Sequence, residues 1–174
     1  GGGAMLNAFI FDLDGVIIDS EPLHYEADRT VFREYGIELA DGELDDYVGI
    51  DIRQMLMDLK NKYGIETKVD DLMLELNRVK LDLLRAWQFE ALDGIKDLIT
   101  DLMDNNITIA LASSSPMDFI RLAIEKVGID RYFDVIVSGE HVDRGKPEPD
   151  IFLKAAALLN VNPMDCLVLE DSMN

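Results

Sequence analysis

The residues best equipped for chemistry are Asp12 and Asp14, which close the stretch Asn7-Ala8-Phe9-Ile10-Phe11-Asp12-Leu13-Asp14-Gly15. The apolar run Ala8 to Phe11 has the length and composition of a buried strand. It ends abruptly in an Asp-x-Asp-Gly turn. Two carboxylates one residue apart at the end of such a strand repel each other, so a positive charge is needed to hold them. A hard divalent cation meets the need, because Mg²⁺ takes oxygen ligands and usually sits beside substrate phosphates. A solvated acidic turn closed by Gly15 would be the plainer reading if this motif stood alone. It does not stand alone. Asp12 can attack phosphorus as a carboxylate nucleophile, forming an aspartyl-phosphate. Asp14 can protonate the leaving alkoxide and then take a proton from the water that hydrolyses the intermediate.

The elements around this turn must bring partners to it. After Ser20, a plausible helix N-cap, Leu23, Ala27 and Val31 recur at helical spacing, and Ile52, Met55, Leu56, Leu59 and Tyr63 make a second stripe closed by Gly64. Leu72, Leu76, Val79 and Leu83 make a third, so residues 19–88 read as a small helical cap inserted into a core of residues 5–18 and 89–174. From Gly94 onward helices alternate with short buried strands at Ile107 to Ala112, Asp134 to Val137 and Cys166 to Leu169. That grammar predicts an α/β fold with a doubly wound parallel sheet. Ligands in such sheets bind beyond the carboxyl ends of the strands. Ser113, Glu170 and Asp171 fall there, and Lys146 lies in the loop after Val137. Asp12, Glu170 and Asp171 supply oxygen ligands for Mg²⁺, while Ser113 and Lys146 would bind the transferring phosphoryl oxygens. Ser114 and Ser115, followed by Pro116, would leave free N–H groups at a helix start where an oxyanion can rest. Helix capping, an ordinary surface lysine and a strand ending at the surface explain each cluster singly. They explain four matched strand ends together poorly.

Composition narrows the partners. The 174 residues carry 16 Lys and Arg against 35 Asp and Glu, a formal net charge of −19, which argues against nucleic acid as a ligand. No segment approaches the roughly 18–20 unbroken apolar residues of a membrane span, so no membrane partner is expected. The start Gly1-Gly2-Gly3-Ala4 before Met5 reads as a scar of expression. One cysteine, Cys166, excludes an internal disulfide and suits a reducing cytoplasm, with the thiol expected in the core.

The chain resembles the haloacid dehalogenase superfamily, within it the group that includes β-phosphoglucomutase and small sugar-phosphate phosphatases. Four ordered motifs carry the resemblance: Phe11-Asp12-Leu13-Asp14-Gly15-Val16 with Asp19-Ser20, Ala110-Leu111-Ala112-Ser113, Lys146-Pro147-Glu148-Pro149-Asp150-Ile151-Phe152, and Leu169-Glu170-Asp171-Ser172. The resemblance implies Asp12 as nucleophile, Asp14 as acid/base and backbone-carbonyl metal ligand, Ser113 and Lys146 as phosphate binders, and Asp171 with Glu170 at the Mg²⁺. The helical insert is similar to that family's mobile cap, which closes over the site and excludes water. Dehalogenase members lack the second acid, so Asp14 favours phosphoryl transfer.

His24 matches the cap-entry histidine of the mutase pattern, and Gly15, Gly49, Arg53, Ser114 and Ser115 complete the expected substrate contacts. Three departures point away from a mutase. Ile52 stands where mutases resemble an arginine gripping a second phosphate, Arg53 is one residue on and so on another helix face, and Pro116-Met117 replaces Lys-Asn. A Mg²⁺-dependent phosphatase of small phosphate esters is therefore the expectation, with a β-phosphoglucomutase-type mutase as the alternative and an inactive interaction module as a weaker one. Relatives usually continue for several elements after Glu-Asp-Ser, so the chain is expected to be a truncated piece that either self-associates through its C-terminal side or is much less stable and less active than a longer chain.

Overall fold

The computed structural model describes residues 6–47, 51–141 and 150–170. Four strands form one parallel sheet: β1 (Ala8–Phe11), β2 (Thr108–Ser113), β3 (Val135–Ser138) and β4 (Cys166–Leu169), in the order β3-β2-β1-β4. Ile10 pairs with Ala110 and Val168, and Ser113 with Ser138, which sets the ends of all four strands at one edge of the sheet. This is the doubly wound α/β architecture expected from the alternation. The chain separates into two compact units, residues 1–20 with 88–174 and residues 21–87. Among the described residues no helix is long and apolar enough to cross a membrane.

In the first unit β1 is covered on both faces of the sheet and is buried along its whole length. Side chains alternate between the faces with a period of two. Ile10, Ala110, Ala112 and Val137 share one face, where Ile151, Ala155 and Ala156 of α6 (Asp150–Leu158) pack on them. The small alanines let that helix lie close to the sheet. Phe9 and Phe11 take the opposite face with ring centroids 4.7 Å apart, and Phe11 meets the ring of Phe133 edge-on at 6.1 Å. Helices α4 (Ile95–Asp104) and α5 (Met117–Lys126) complete the unit, burying Ile95, Ile99 and Leu102 and Phe119, Ile120, Ala123 and Ile124. The strand β4 departs from expectation. Cys166 is only half-buried on it, where a core thiol was expected, and burial pushes that thiol's pKa up.

The second unit holds three helices: α1 (Glu21–Glu34), α2 (Ile52–Tyr63) and α3 (Val69–Ala86). Their stripes meet in a core built from Val31, Phe32, Leu56, Leu59, Leu72 and Leu76. Gly64 ends α2 in the left-handed region at φ 68°, donating its N–H to the Lys60 carbonyl, a geometry that other residues adopt at a cost. Glu43 ties the preceding loop down: it accepts from the Ala40 N–H at 2.8 Å, the Lys62 ammonium at 2.9 Å and the Tyr63 hydroxyl. Those donors hold the Glu43 carboxyl down at about 2.

Candidate active site

The turn after β1 is built from its own backbone. The Asp12 N–H continues the ladder to the Leu169 carbonyl at 2.9 Å, and the Leu13 carbonyl then accepts from the N–H groups of Ile17 and Ile18 at 2.9 and 3.2 Å. Gly15, at φ 76°, turns the chain so that its N–H reaches the Ile18 carbonyl at 2.8 Å. Asp12 itself is buried, 4% exposed, and one carboxylate oxygen accepts from the Leu13 N–H at 2.8 Å. A carboxylate at that depth demands compensating donors or a cation.

Asp14 is half-buried, and both of its oxygens are held. The Ser20 hydroxyl donates to Oδ1 at 2.5 Å, and the Ser115 hydroxyl donates to Oδ2 at 3.4 Å. Ser113, fully buried at the end of β2, accepts the Ser115 N–H on its Oγ at 3.1 Å. The turns after β1 and β2 are thus joined through a carboxylate and two serines. Glu170 follows β4 directly. The register Phe11 to Leu169 sets it one step beyond a strand end adjacent to that of Asp12.

Ser20, at the position expected to cap α1, donates its hydroxyl to Asp14. One expectation changes here. The N–H groups after β2 are not all free: Ser115 N–H is taken by Ser113, and Met117 N–H donates to Glu140 at 2.6 Å. Ser114 stands exposed beside them. His24 and Arg53 belong to the helical unit. His24 is half-buried on α1, whereas Arg53 is exposed on α2 and donates to Asp70 at 2.5 Å. Ile52 packs against the apolar core of that unit. Gly49, Lys146 and Asp171 lie outside the described residues. Sequence reasoning missed Ser138, Gly139 and Glu140, whose loop reaches the Ser113 turn; a glycine directly after a buried strand is the one signal that hinted at a close approach.

The profile of haloacid dehalogenase-like hydrolases matches residues 9–174. The chain is a member of that family. Among curated haloacid dehalogenase-like relatives, a phosphorylated carbohydrates phosphatase of Thermotoga maritima is 31% identical over 167 residues, covering 96% of this chain and 77% of that protein. A β-phosphoglucomutase of Bacillus subtilis is 37% identical over 176 residues, covering 96% and 76%. The crystal structure of a β-phosphoglucomutase from Clostridium difficile superposes with a TM-score of 0.83 at 33% identity, covering 97% of this chain and 77% of that one.

Proposed function

We propose that this haloacid dehalogenase-like hydrolase is a Mg²⁺-dependent phosphatase of small phosphate esters, with sugar phosphates as the substrate class. The observation that carries the reading is the pairing of a buried carboxylate, Asp12, with a second one two residues on, Asp14, that two hydroxyls hold in place. In the reaction, an Asp12 oxygen bonds to phosphorus as the ester P–O bond breaks, and Asp14 gives its proton to the departing alkoxide. Water then attacks the phosphorus of the aspartyl-phosphate, Asp14 accepts a proton from it, and phosphate leaves as the Asp12 carboxylate is restored. The serine turn after β2 would bind phosphoryl oxygens, with Lys146 joining from its loop. The relatives' names, a carbohydrate phosphatase and a phosphoglucomutase, support phosphate esters of sugars as substrates.

The donor chemistry fits Mg²⁺. Asp12 and Glu170 end adjacent strands, and with the Asp14 carbonyl and Asp171 they make an all-oxygen set suited to a hard cation. Among the described residues no three Asp, Glu, His or Cys side chains converge on one point, and Asp171 lies outside them. When bound, Mg²⁺ would neutralise charge on the transferring phosphoryl group.

The 37% identity to a β-phosphoglucomutase supports the second reading, a mutase. Against it, Ile52 packs on the core of the helical unit and has no charge to offer a second phosphate, and the neighbouring Arg53 is paired with Asp70. The test is a screen of sugar phosphates with and without EDTA. Turnover is expected to need the metal and to vanish in Asp12→Asn. Full activity in EDTA would refute the metal assignment, and conversion of β-glucose 1-phosphate to glucose 6-phosphate would favour the mutase.

A further inference from the structure

The loop after β3 reaches across to the start of α5. The buried Ser138 hydroxyl donates to the Ser115 carbonyl at 2.6 Å, and the Glu140 N–H donates to that same Ser138 oxygen at 3.1 Å. Gly139 passes so near that a Cβ there would stand 2.6 Å from the Ser114 carbonyl oxygen. These contacts bring the Glu140 carboxylate to the first N–H of α5, that of Met117, at 2.6 Å. Pro116, the N-cap, offers no side-chain hydrogen bond of its own, so the cap comes from another loop.

The position matters because of what lies next to it. Ser115, two residues before Met117, touches Asp14, the group that protonates the leaving oxygen in the reaction proposed above. The leaving group therefore emerges beside the Ser115 to Met117 turn. A second phosphate carried on that leaving group would find the positive end of α5 there, ordinarily a ready resting place for an anion. In this protein a carboxylate already occupies it, and like charges a few ångströms apart repel.

We propose that Glu140 is a specificity-determining residue whose carboxylate, seated on the first N–H of α5, excludes a second anionic group from the leaving-group side. The substrates are then monophosphates of uncharged alcohols or polyols, an inference that rests on the phosphatase reading. Its experiment uses the full chain, with glucose 6-phosphate and glucose 1,6-bisphosphate as probes. Phosphate release and calorimetric affinity are both measured for wild type, Glu140→Gln and Glu140→Asp. Glu140→Gln keeps an acceptor for the Met117 N–H and removes the charge. Its bisphosphate-to-monophosphate ratio, in kcat/KM and in affinity, should rise about two- to fivefold, the scale of one exposed charge at a helix end. Glu140→Asp keeps the charge and should hold the wild-type ratio. An unchanged ratio in Glu140→Gln would overturn the proposal. So would an equal rise in Glu140→Asp, which would assign the effect to loosened packing. If wild type binds both probes and releases no phosphate, the phosphatase reading fails while the affinity ratios still decide the role of Glu140.

Discussion

At the scale of single residues, Asp12 and Asp14 differ because their surroundings differ. Asp12 is buried at the end of β1, next to Glu170 in the strand register, so its charge is stable only with a cation or dedicated donors beside it. Asp14 sits at the half-exposed lip, where two hydroxyls fix its orientation and leave it able to exchange protons. Substituting Asp14→Asn preserves the shape and the backbone carbonyl while removing the titrating group. Turnover should fall by about 10²–10⁴-fold, the usual contribution of general acid–base help, while Mg²⁺ affinity measured by calorimetry stays near wild type. An unchanged rate would move the acid role to another residue.

At the scale of elements, two interfaces carry measurable consequences. In the helical unit Asp28 of α1 is buried, and its Oδ1 has no hydrogen-bond partner. Burial raises its carboxyl from 3.8 to about 6, against the opposing pull of Lys80 on α3 and of His24 one turn earlier on α1. The folded chain therefore holds a proton that the unfolded chain has lost between those two pH values. Stability falls as pH rises through that window, by up to about 3 kcal/mol, and the penalty stays constant above it. Asp28→Asn should melt at higher temperature than wild type at pH 8, with the gap closing towards pH 4, as followed by circular dichroism. A gap that does not depend on pH would refute the account. In the sheet unit, Gly139→Ala must push the loop after β3 away from the Ser114 carbonyl, because backbone yields poorly to a 2.6 Å contact. Turnover should drop together with melting temperature, since the displaced loop carries the contacts that hold Ser115 and Met117. Wild-type kinetics in that variant would show that the loop tolerates the shift.

At the scale of the whole molecule, the sheet is unevenly protected. Helices cover β1 and β2, whereas β4 is an edge among the described residues, with Leu167 and Val168 51% and 38% exposed. An apolar edge strand with unpaired backbone groups is a template for another copy. We expect the 174-residue chain to associate edge to edge as its concentration rises, and Leu167→Lys to keep it monomeric. Sedimentation equilibrium of both forms decides this, and a wild-type monomer at high concentration would dismiss the edge as an interface. The formal charge of −19 opposes such association at long range, so added salt should strengthen it.

Much of this protein is written locally. An apolar run of strand length, the Asp-x-Asp-Gly turn after it, helical stripes such as Met55, Leu56 and Leu59, and Gly64 as a helix stop are short-range signals, and the strands and helices lie where those signals put them. Their alternation was enough to determine a parallel sheet, because parallel strands need crossover helices. Strand boundaries moved by about a residue, as at Thr108–Ser113, since hydrogen-bond register and not composition sets where a ladder ends. The connections of the site were not legible. Ser115 meets Asp14 from 101 residues away, Ser20 turns its hydroxyl to Asp14, and Glu140 caps a helix that starts 23 residues earlier. Each depends on how β1, β2 and β3 are laid side by side, and a polar side chain carries no mark of which distant partner the sheet will bring to it. The sequence by itself determined which groups can do the chemistry; the tertiary structure decided which hydroxyls orient the acid and which carboxylate stands at the start of α5, because those contacts exist only once the strand ends are aligned.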